Sequence, residues 1–215
     1  MVNFEIMKFD KKTIEFYNEN AQKYSSYSYE HQKGDLYQRF LNNLPIKGSI
    51  LDAGCGAGWD TKFFLSNGYF VTAFDASTKL LEVVETHKNL EKIESDFLNF
   101  KCENIFDGIW ASFSLQHLPK KDFKTALKLL NNSLSNTGVL YIGIHEGNKE
   151  IRDALGRYYS YYGESEISGI IQSLNLKILS LDKLESKSFD GKKINTMHLL
   201  MQKIYKDKEY GKFER

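Results

Sequence analysis

Apolar positions change their spacing along the chain in a regular alternation. Residues 49–54, SILDAG, form a short apolar run ending in glycine, the pattern of a buried strand. Residues 69–77, YFVTAFDAS, are β-branched and aromatic and predict a second strand. A weaker third lies within 90–100, a fourth in FDGIWASFS (106–114) and a fifth in GVLYIGIHE (138–146). Between them the spacing turns helical: over 59–67, ending at Gly68; over TKLLEVVETHK (78–88), with Ser77 as its cap; and over KKDFKTALKLLNNSL (120–134), followed by a turn at 136–138. The two ends differ. Residues 10–30 predict a polar helix bearing tyrosines, and 32–43 a second helix that stops before Pro45. After the fifth strand, a tyrosine-rich connection leads to a helix beginning near Glu164. Two strands, LKILSLDKL (176–184) and INTMHLLMQKI (194–204), flank a turn at 190–191.

Strands alternating with helices predict an α/β fold. The expected sheet is seven-stranded and mostly parallel, with helices on both faces and a C-terminal antiparallel hairpin. The expected organisation is one domain over 1–205: a helical lid at 1–45, a core at 46–205, and a charged, frayed tail at 206–215.

Composition narrows the function classes. The 215 residues are 41% hydrophobic and 27% charged with only 2 prolines, which excludes wholesale disorder and a proline-rich linker. The net charge of +1 argues against a protein devoted to a nucleic-acid backbone. The excess of basic residues from Lys177 onward reads as a solvated, solubilising tail. Cys55 and Cys102 are too few for a disulfide framework or a cysteine-rich metal site, and no metal is expected. No apolar run approaches about 18 residues and the start lacks a secretory pattern, so the expected setting is cytoplasmic, without a membrane.

The sharpest motif is Asp52-Ala53-Gly54-Cys55-Gly56-Ala57-Gly58, between a strand and a helix. Its glycines let backbone approach a ligand, and a helix start offers N–H groups to negative charge. A dinucleotide loop, G-x-G-x-x-G, requires a third glycine at position 59, which here is Trp59. A nicotinamide-dependent oxidoreductase is therefore disfavoured, and no Gly-Lys-Ser/Thr follows to make a Walker loop. Asp75 ends the second strand, 21 residues after Gly54, where a carboxylate can accept from both hydroxyls of a ribose.

Together with Asp96-Phe97 after the third strand, these residues resemble class I S-adenosylmethionine-dependent methyltransferases, which have a Rossmann-like fold. The resemblance runs from about Tyr17 to Ile204 and is nearest to small bacterial members of the tellurite-resistance type. It is carried by YNENAQKY (17–24), GAGWDTKFFLSNGYFVTAFDAS (56–77), FDGIWASFSLQHLP (106–119) and GRYYSYY (156–162).

The resemblance implies S-adenosyl-L-methionine as cofactor. Gly54, Cys55, Gly56 and Gly58 would cradle its amino-acid part, with Asp52 ordering the loop or reaching the amino group. Asp75 and Ala76 would hold the ribose, and Asp96 and Phe97 the adenine. Trp110, Ala111, Ser112 and Phe113 would pass under the methyl donor, and Tyr17 and Tyr24 would close over it. His117, His145 and Arg157 are the candidate catalytic residues. Arg152 to Tyr162 offer two guanidinium groups and four phenols, which suit a small anionic or aromatic acceptor. The resemblance thus implies methyl transfer to O, N, S or a metalloid by in-line displacement. The alternatives are a wobble-uridine tRNA methyltransferase, which shares an Arg-Tyr-Tyr stretch, and a non-catalytic cofactor-binding subunit. The oligomeric state is left open.

Overall fold

The computed structural model describes residues 10–26, 34–189 and 191–204. Five parallel strands form its frame: β1 (Ser49–Ala53), β2 (Phe70–Asp75), β3 (Leu90–Glu94), β4 (Phe106–Ser112) and β5 (Leu134–His145). Two short strands, β6 (Glu150–Arg152) and β7 (Tyr158–Ser160), pair as a separate small hairpin. The closing strands, β8 (Leu176–Lys187) and β9 (Lys193–Lys203), complete the main sheet in the order β3-β2-β1-β4-β5-β9-β8. β9 runs antiparallel to both β5 and β8. The expected fold class is therefore observed, closing hairpin included.

Alternate residues of the central strands feed two cores, as a sheet covered on both faces requires. Leu51, Ile109, Leu140 and Ile142 pack against Phe123, Leu127 and Leu130 of α6 (Lys120–Asn132) and Ile167 and Ile171 of α7 (Glu164–Gln172). Ile50, Val71, Trp110 and Tyr141 pack on the other face against Phe40 of α3 (Gly34–Leu41) and Phe64 of α4 (Trp59–Ser66). Ile109 is completely buried at the sheet centre, so truncating it to alanine costs about 2–5 kcal/mol.

Four boundaries depart from the sequence pattern. The polar helix predicted over 10–30 breaks into α1 (Lys11–Glu19) and α2 (Ala21–Ser25), because Asn20 turns its side-chain amide back to the Phe16 carbonyl. The remainder of that span, at 27–30, lies outside the described residues. The helix expected over 78–88 is only α5 (Thr78–Val83): Val84 is extended, and the Lys92 ammonium caps the Leu81 and Val84 carbonyls. β5 begins at Leu134, so the turn expected at 136–138 lies inside a strand, beside a register shift at Phe106/Gly108 of β4. The tyrosine-rich connection holds β6 and β7. Asp190 of the predicted turn and the charged tail lie outside the described residues. No helix among the described residues is long and apolar enough to cross a membrane.

Candidate active site

A cavity of about 100 Å³ opens at the carboxyl ends of β1, β2 and β4, roofed by α1 and α2. The chain leaves β1 through Gly54 (φ 72°) and Gly56 (φ 56°), both in the left-handed region that favours glycine. A Cβ on Gly54 would lie 2.4 Å from the Ser114 Cβ, so the close approach of two strand ends also demands glycine there. Gly58 (φ 79°) caps α4 and faces Val84 rather than the cavity. The N–H groups of Gly54 and Cys55 donate to the Phe74 carbonyl, and that of Gly56 to an Asp75 carboxylate oxygen at 2.9 Å. The loop's own donors are thus spent inward. It offers a ligand closeness and carbonyl acceptors, in place of the N–H cradle its glycines suggested.

Asp75 ends β2 with Oδ1 accepting from the Ser77 N–H and Oδ2 from Gly56. The Ala76 N–H also reaches this carboxylate, which has about four acceptor positions and so keeps room for a further donor. Burial pushes its pKa up against the pull of those backbone donors. Asp96 accepts from the Leu98 and Asn99 N–H groups on Oδ1 and from the Asn99 amide on Oδ2. Phe97 packs beside it, edge-on to Phe74.

The roof is tied down by side chains far apart in sequence. Asp10 pairs with Arg152 at 2.6 Å, and the Thr13 hydroxyl accepts from the Tyr158 N–H at 2.8 Å. Asn18 accepts from the Ser77 hydroxyl and the Lys79 N–H at the start of α5. Tyr17 meets the Nε2 of His117 at 3.1 Å, and Tyr24 packs on Trp59. His117 is carried by a short 3₁₀ turn, Leu115–His117. The chain reaches that turn through Phe113, whose φ of 56° is unusual for an aromatic residue.

The expected site residues divide. Tyr17, Tyr24, Gly54, Gly56, Asp75 and Ala76 line the cavity, as do Asp96, Phe97, Ser112 and His117. Six do not. Asp52 is buried and accepts from the Thr61 hydroxyl at 2.6 Å, bracing the loop against α4. Cys55 is buried, and burial raises its thiol pKa well above the ordinary value. Gly58 lies behind the loop, and Ala111 is wholly buried in the core. His145 is buried against Tyr159, with its N–H held by Gln116 and its pKa pushed down to about 3 by burial.

Arg157 is 3% exposed, and its guanidinium pairs with Asp153 at 2.7 Å. The rings of Phe16, Tyr159 and Phe189 surround it. The fork expected to meet a ligand is thus committed to a carboxylate four residues earlier. The sequence reading missed Asp10, Thr13 and Ile14 from the roof and Ser114 from the floor. Asp10 had one signal, its capping position before a helix, where its carboxylate accepts from the Thr13 N–H.

Residues 50–138 match a family model described as a methyltransferase domain. Over 121 residues the chain is 31% identical to the malonyl-(acyl-carrier protein) O-methyltransferase of Buchnera aphidicola, covering 49% of this chain and 44% of that protein. Over 72 residues it is 34% identical to ribosomal RNA small subunit methyltransferase A of Mesomycoplasma hyopneumoniae, covering 32% of this chain and 28% of that protein. The matches thus span less than half the length of these two curated relatives. The fold superposes with TM-score 0.72 and 18% identity on the 1,6-didemethyltoxoflavin-N1-methyltransferase of Burkholderia thailandensis, solved with 1,6-didemethyltoxoflavin and S-adenosylhomocysteine. That alignment covers 89% of this chain and 85% of the other. Residues 50–138 are thus similar to a methyltransferase domain, on a fold shared with solved S-adenosylmethionine-dependent methyltransferases.

Proposed function

We propose that this chain transfers a methyl group from S-adenosylmethionine to a small-molecule acceptor by in-line displacement. The observation that carries the reading is Asp75. It is a buried carboxylate at the end of β2, held by backbone donors on its own side, beside a loop of left-handed glycines. Its two carboxylate oxygens suit the vicinal hydroxyls of a ribose, and accepting from them offsets the desolvation that raises the Asp75 pKa. Asp96 retains one acceptor position on Oδ2 for an adenine amino group, with the Phe97 ring beside it. The carbonyls of the Gly54–Gly56 loop suit an ammonium group. The bound donor supplies a methyl group on a cationic sulfur that is already a good leaving group.

The chain's own part is to hold two reactants in line and keep water out. In the described state the cavity is far smaller than the roughly 300–1,000 Å³ of ligand pockets. Ligand entry therefore requires α1 and α2 to draw back, and the ties to Arg152, Tyr158 and Ser77 re-form over the ligand. On this reading α1 and α2 would serve as the lid expected within residues 1–45. The aromatic rings of Tyr17 and Tyr24 would then face the sulfonium. The acceptor would enter beside Phe113 and His117, where a small enclosed space favours a small molecule over a folded RNA.

Calorimetry with S-adenosylmethionine and S-adenosylhomocysteine tests the donor half, and both should bind. Labelled donor, incubated with a metabolite extract and separately with an RNA pool, tests the acceptor half. Label in small molecules is expected. Label in RNA alone would replace the acceptor assignment, and binding without turnover in either pool would make the chain a cofactor-binding subunit.

A further inference from the structure

His117 sits where the cavity meets the acceptor side, and two opposite contacts fix its ring. Nδ1 lies 2.7 Å from the carbonyl oxygen of Tyr158, and Nε2 lies 3.1 Å from the Tyr17 hydroxyl. A carbonyl only accepts, so Nδ1 carries the proton and donates it. In the neutral ring Nε2 is then a bare lone pair turned toward the cavity, and the Tyr17 hydroxyl donates to it. The ring is also clamped sideways, with the Tyr159 ring 4.6 Å away and Tyr17 edge-on.

Tyr17 and Asp10 face this ring from α1, Asp153, Arg157 and Tyr159 from the β6–β7 hairpin, and His145 from β5. Arg157 opposes protonation while Asp10 and Asp153 favour it. Burial, acting with Arg157, outweighs the Tyr158 carbonyl, Asp153 and Asp10 and lowers the pKa to about 4, so Nε2 is unprotonated at neutral pH.

We propose, building on the methyltransferase reading, that His117 is the catalytic proton acceptor and that it selects acceptors bearing a proton on the reacting atom: the O–H or ring N–H of a flat, aromatic or enolic molecule. The acceptor's O–H or N–H takes the place of the Tyr17 hydroxyl at Nε2. As its oxygen or nitrogen bonds to the methyl carbon, the carbon–sulfur bond breaks and the electron pair stays on sulfur. The acceptor's proton passes to Nε2, and the resulting imidazolium gives it up to solvent when the site opens. A weakly basic ring suffices, because an O–H or N–H becomes strongly acidic as the new bond to carbon forms. A thiolate, a halide or a metalloid anion brings no proton, and the lone pair of Nε2 repels it. The rings of Tyr17 and Phe113, which line the cavity, suit a planar body.

The test uses the full chain, labelled S-adenosylmethionine and a bacterial metabolite extract, with products identified by mass spectrometry. Labelled O-methyl or N-methyl compounds are expected. His117→Ala should lower their kcat about 10²-fold or more, the usual contribution of a positioned base. S-adenosylhomocysteine affinity should move far less. Tyr17→Phe removes the competing hydroxyl and should lower the acceptor KM, a split between KM and kcat that a merely structural histidine would not produce. Nitrogen-15 NMR of the S-adenosylhomocysteine-loaded protein reads the tautomer without turnover: Nδ1 protonated and Nε2 bare at neutral pH. S-methyl or metalloid products alone, no labelled product, an undiminished kcat in His117→Ala, or a proton on Nε2 each overturns the inference. Failure of S-adenosylhomocysteine to bind would instead bring down the methyltransferase reading beneath it.

Discussion

The floor and the roof of the cavity are built by different means. The floor is backbone: Gly54, Gly56, Asp75 and Asp96 stand at strand ends, and parallel pairing sets their spacing, with Asp52 opposite Ala73 and Phe74 opposite Ile93. The roof is side chains drawn from distant places: Asp10 to Arg152, Thr13 to Tyr158, Tyr17 to His117. A floor made of ladder hydrogen bonds cannot move without breaking the sheet. A roof made of a few polar ties can open with the sheet intact, because α1 and α2 precede β1 in the chain. One half can thus be rigid toward a constant donor, while the other is free to differ with the acceptor.

The largest expected effect lies on the roof side, at Arg157. Its guanidinium is almost wholly buried and pairs with Asp153, which is 14% exposed. Removing one partner of such a pair leaves the other charge buried and uncompensated, at a cost of about 3–5 kcal/mol. Urea unfolding of Arg157→Ala should show that loss, and Asp153→Asn placed on top should restore part of it. A loss below about 1 kcal/mol, the scale of a surface pair, would return Arg157 to the acceptor site.

On the floor side, Gly54→Ala should cost about 3 kcal/mol, combining left-handed backbone strain with overpacking against Ser114. Thermal unfolding reads it, and a near-neutral result would mean the loop relaxes easily and is no rigid floor. The Asp75→Ala change acts on ligand rather than fold. It should weaken S-adenosylhomocysteine by about 1.5–3 kcal/mol in calorimetry, the range for hydrogen bonds to a charged group. The folded pKa of Asp75 lies above its unfolded value, so ionising it in the free protein is costly. Two donated hydroxyl bonds favour the ionised form, so wild-type affinity should rise as pH rises through that raised pKa. Asp75→Asn should flatten the dependence.

The same contrast explains what the sequence made legible. The floor follows from local facts: an apolar run ending in glycine, a second strand ending in an acid, and a parallel register that brings both to one edge. Ala111 and Ser112 were expected together under the donor, yet strand alternation sends Ala111 into the core and leaves Ser112 at the cavity. The roof depends mainly on pairs 100 or more residues apart in which neither member signals the other. Thr13 is an ordinary helix residue until Tyr158 donates to it. Arg157 is the instructive case. Asp153 stands four residues earlier across the turn at Gly156 (φ 87°), and its Oδ1 also accepts the Arg157 N–H. An acid at that spacing from an arginine, with a glycine between, is a visible sign that the fork has a local partner. β5 shows another case: the turn-forming residues at 136–138 fall inside a strand, in the register shift between its Leu134 and Val139 pairs with β4.

The smallest expected effect is the latch between Asp10 and Arg152. Both side chains are partly exposed, at 20% and 37%, so solvent screening limits the pair to about 1 kcal/mol even with two contacts at 2.9 and 2.6 Å. The hydrogen bond from Arg152, helped by Thr13, holds the Asp10 carboxyl down at about 2. Its folded pKa is lower than its unfolded one. The stabilisation is therefore complete above the ordinary carboxyl range near 3.8 and disappears as pH falls through about 2. Arg152→Ala should leave the unfolding midpoint of the sheet nearly unchanged. It should speed hydrogen exchange and limited proteolysis within α1, because less work is needed to lift that helix from the hairpin. High salt should do the same to the wild type and little to the variant. If α1 exchanges as slowly in Arg152→Ala as in the wild type, the ties at Thr13, Tyr17 and Asn18 hold the roof without the ion pair, and the latch has no part in opening.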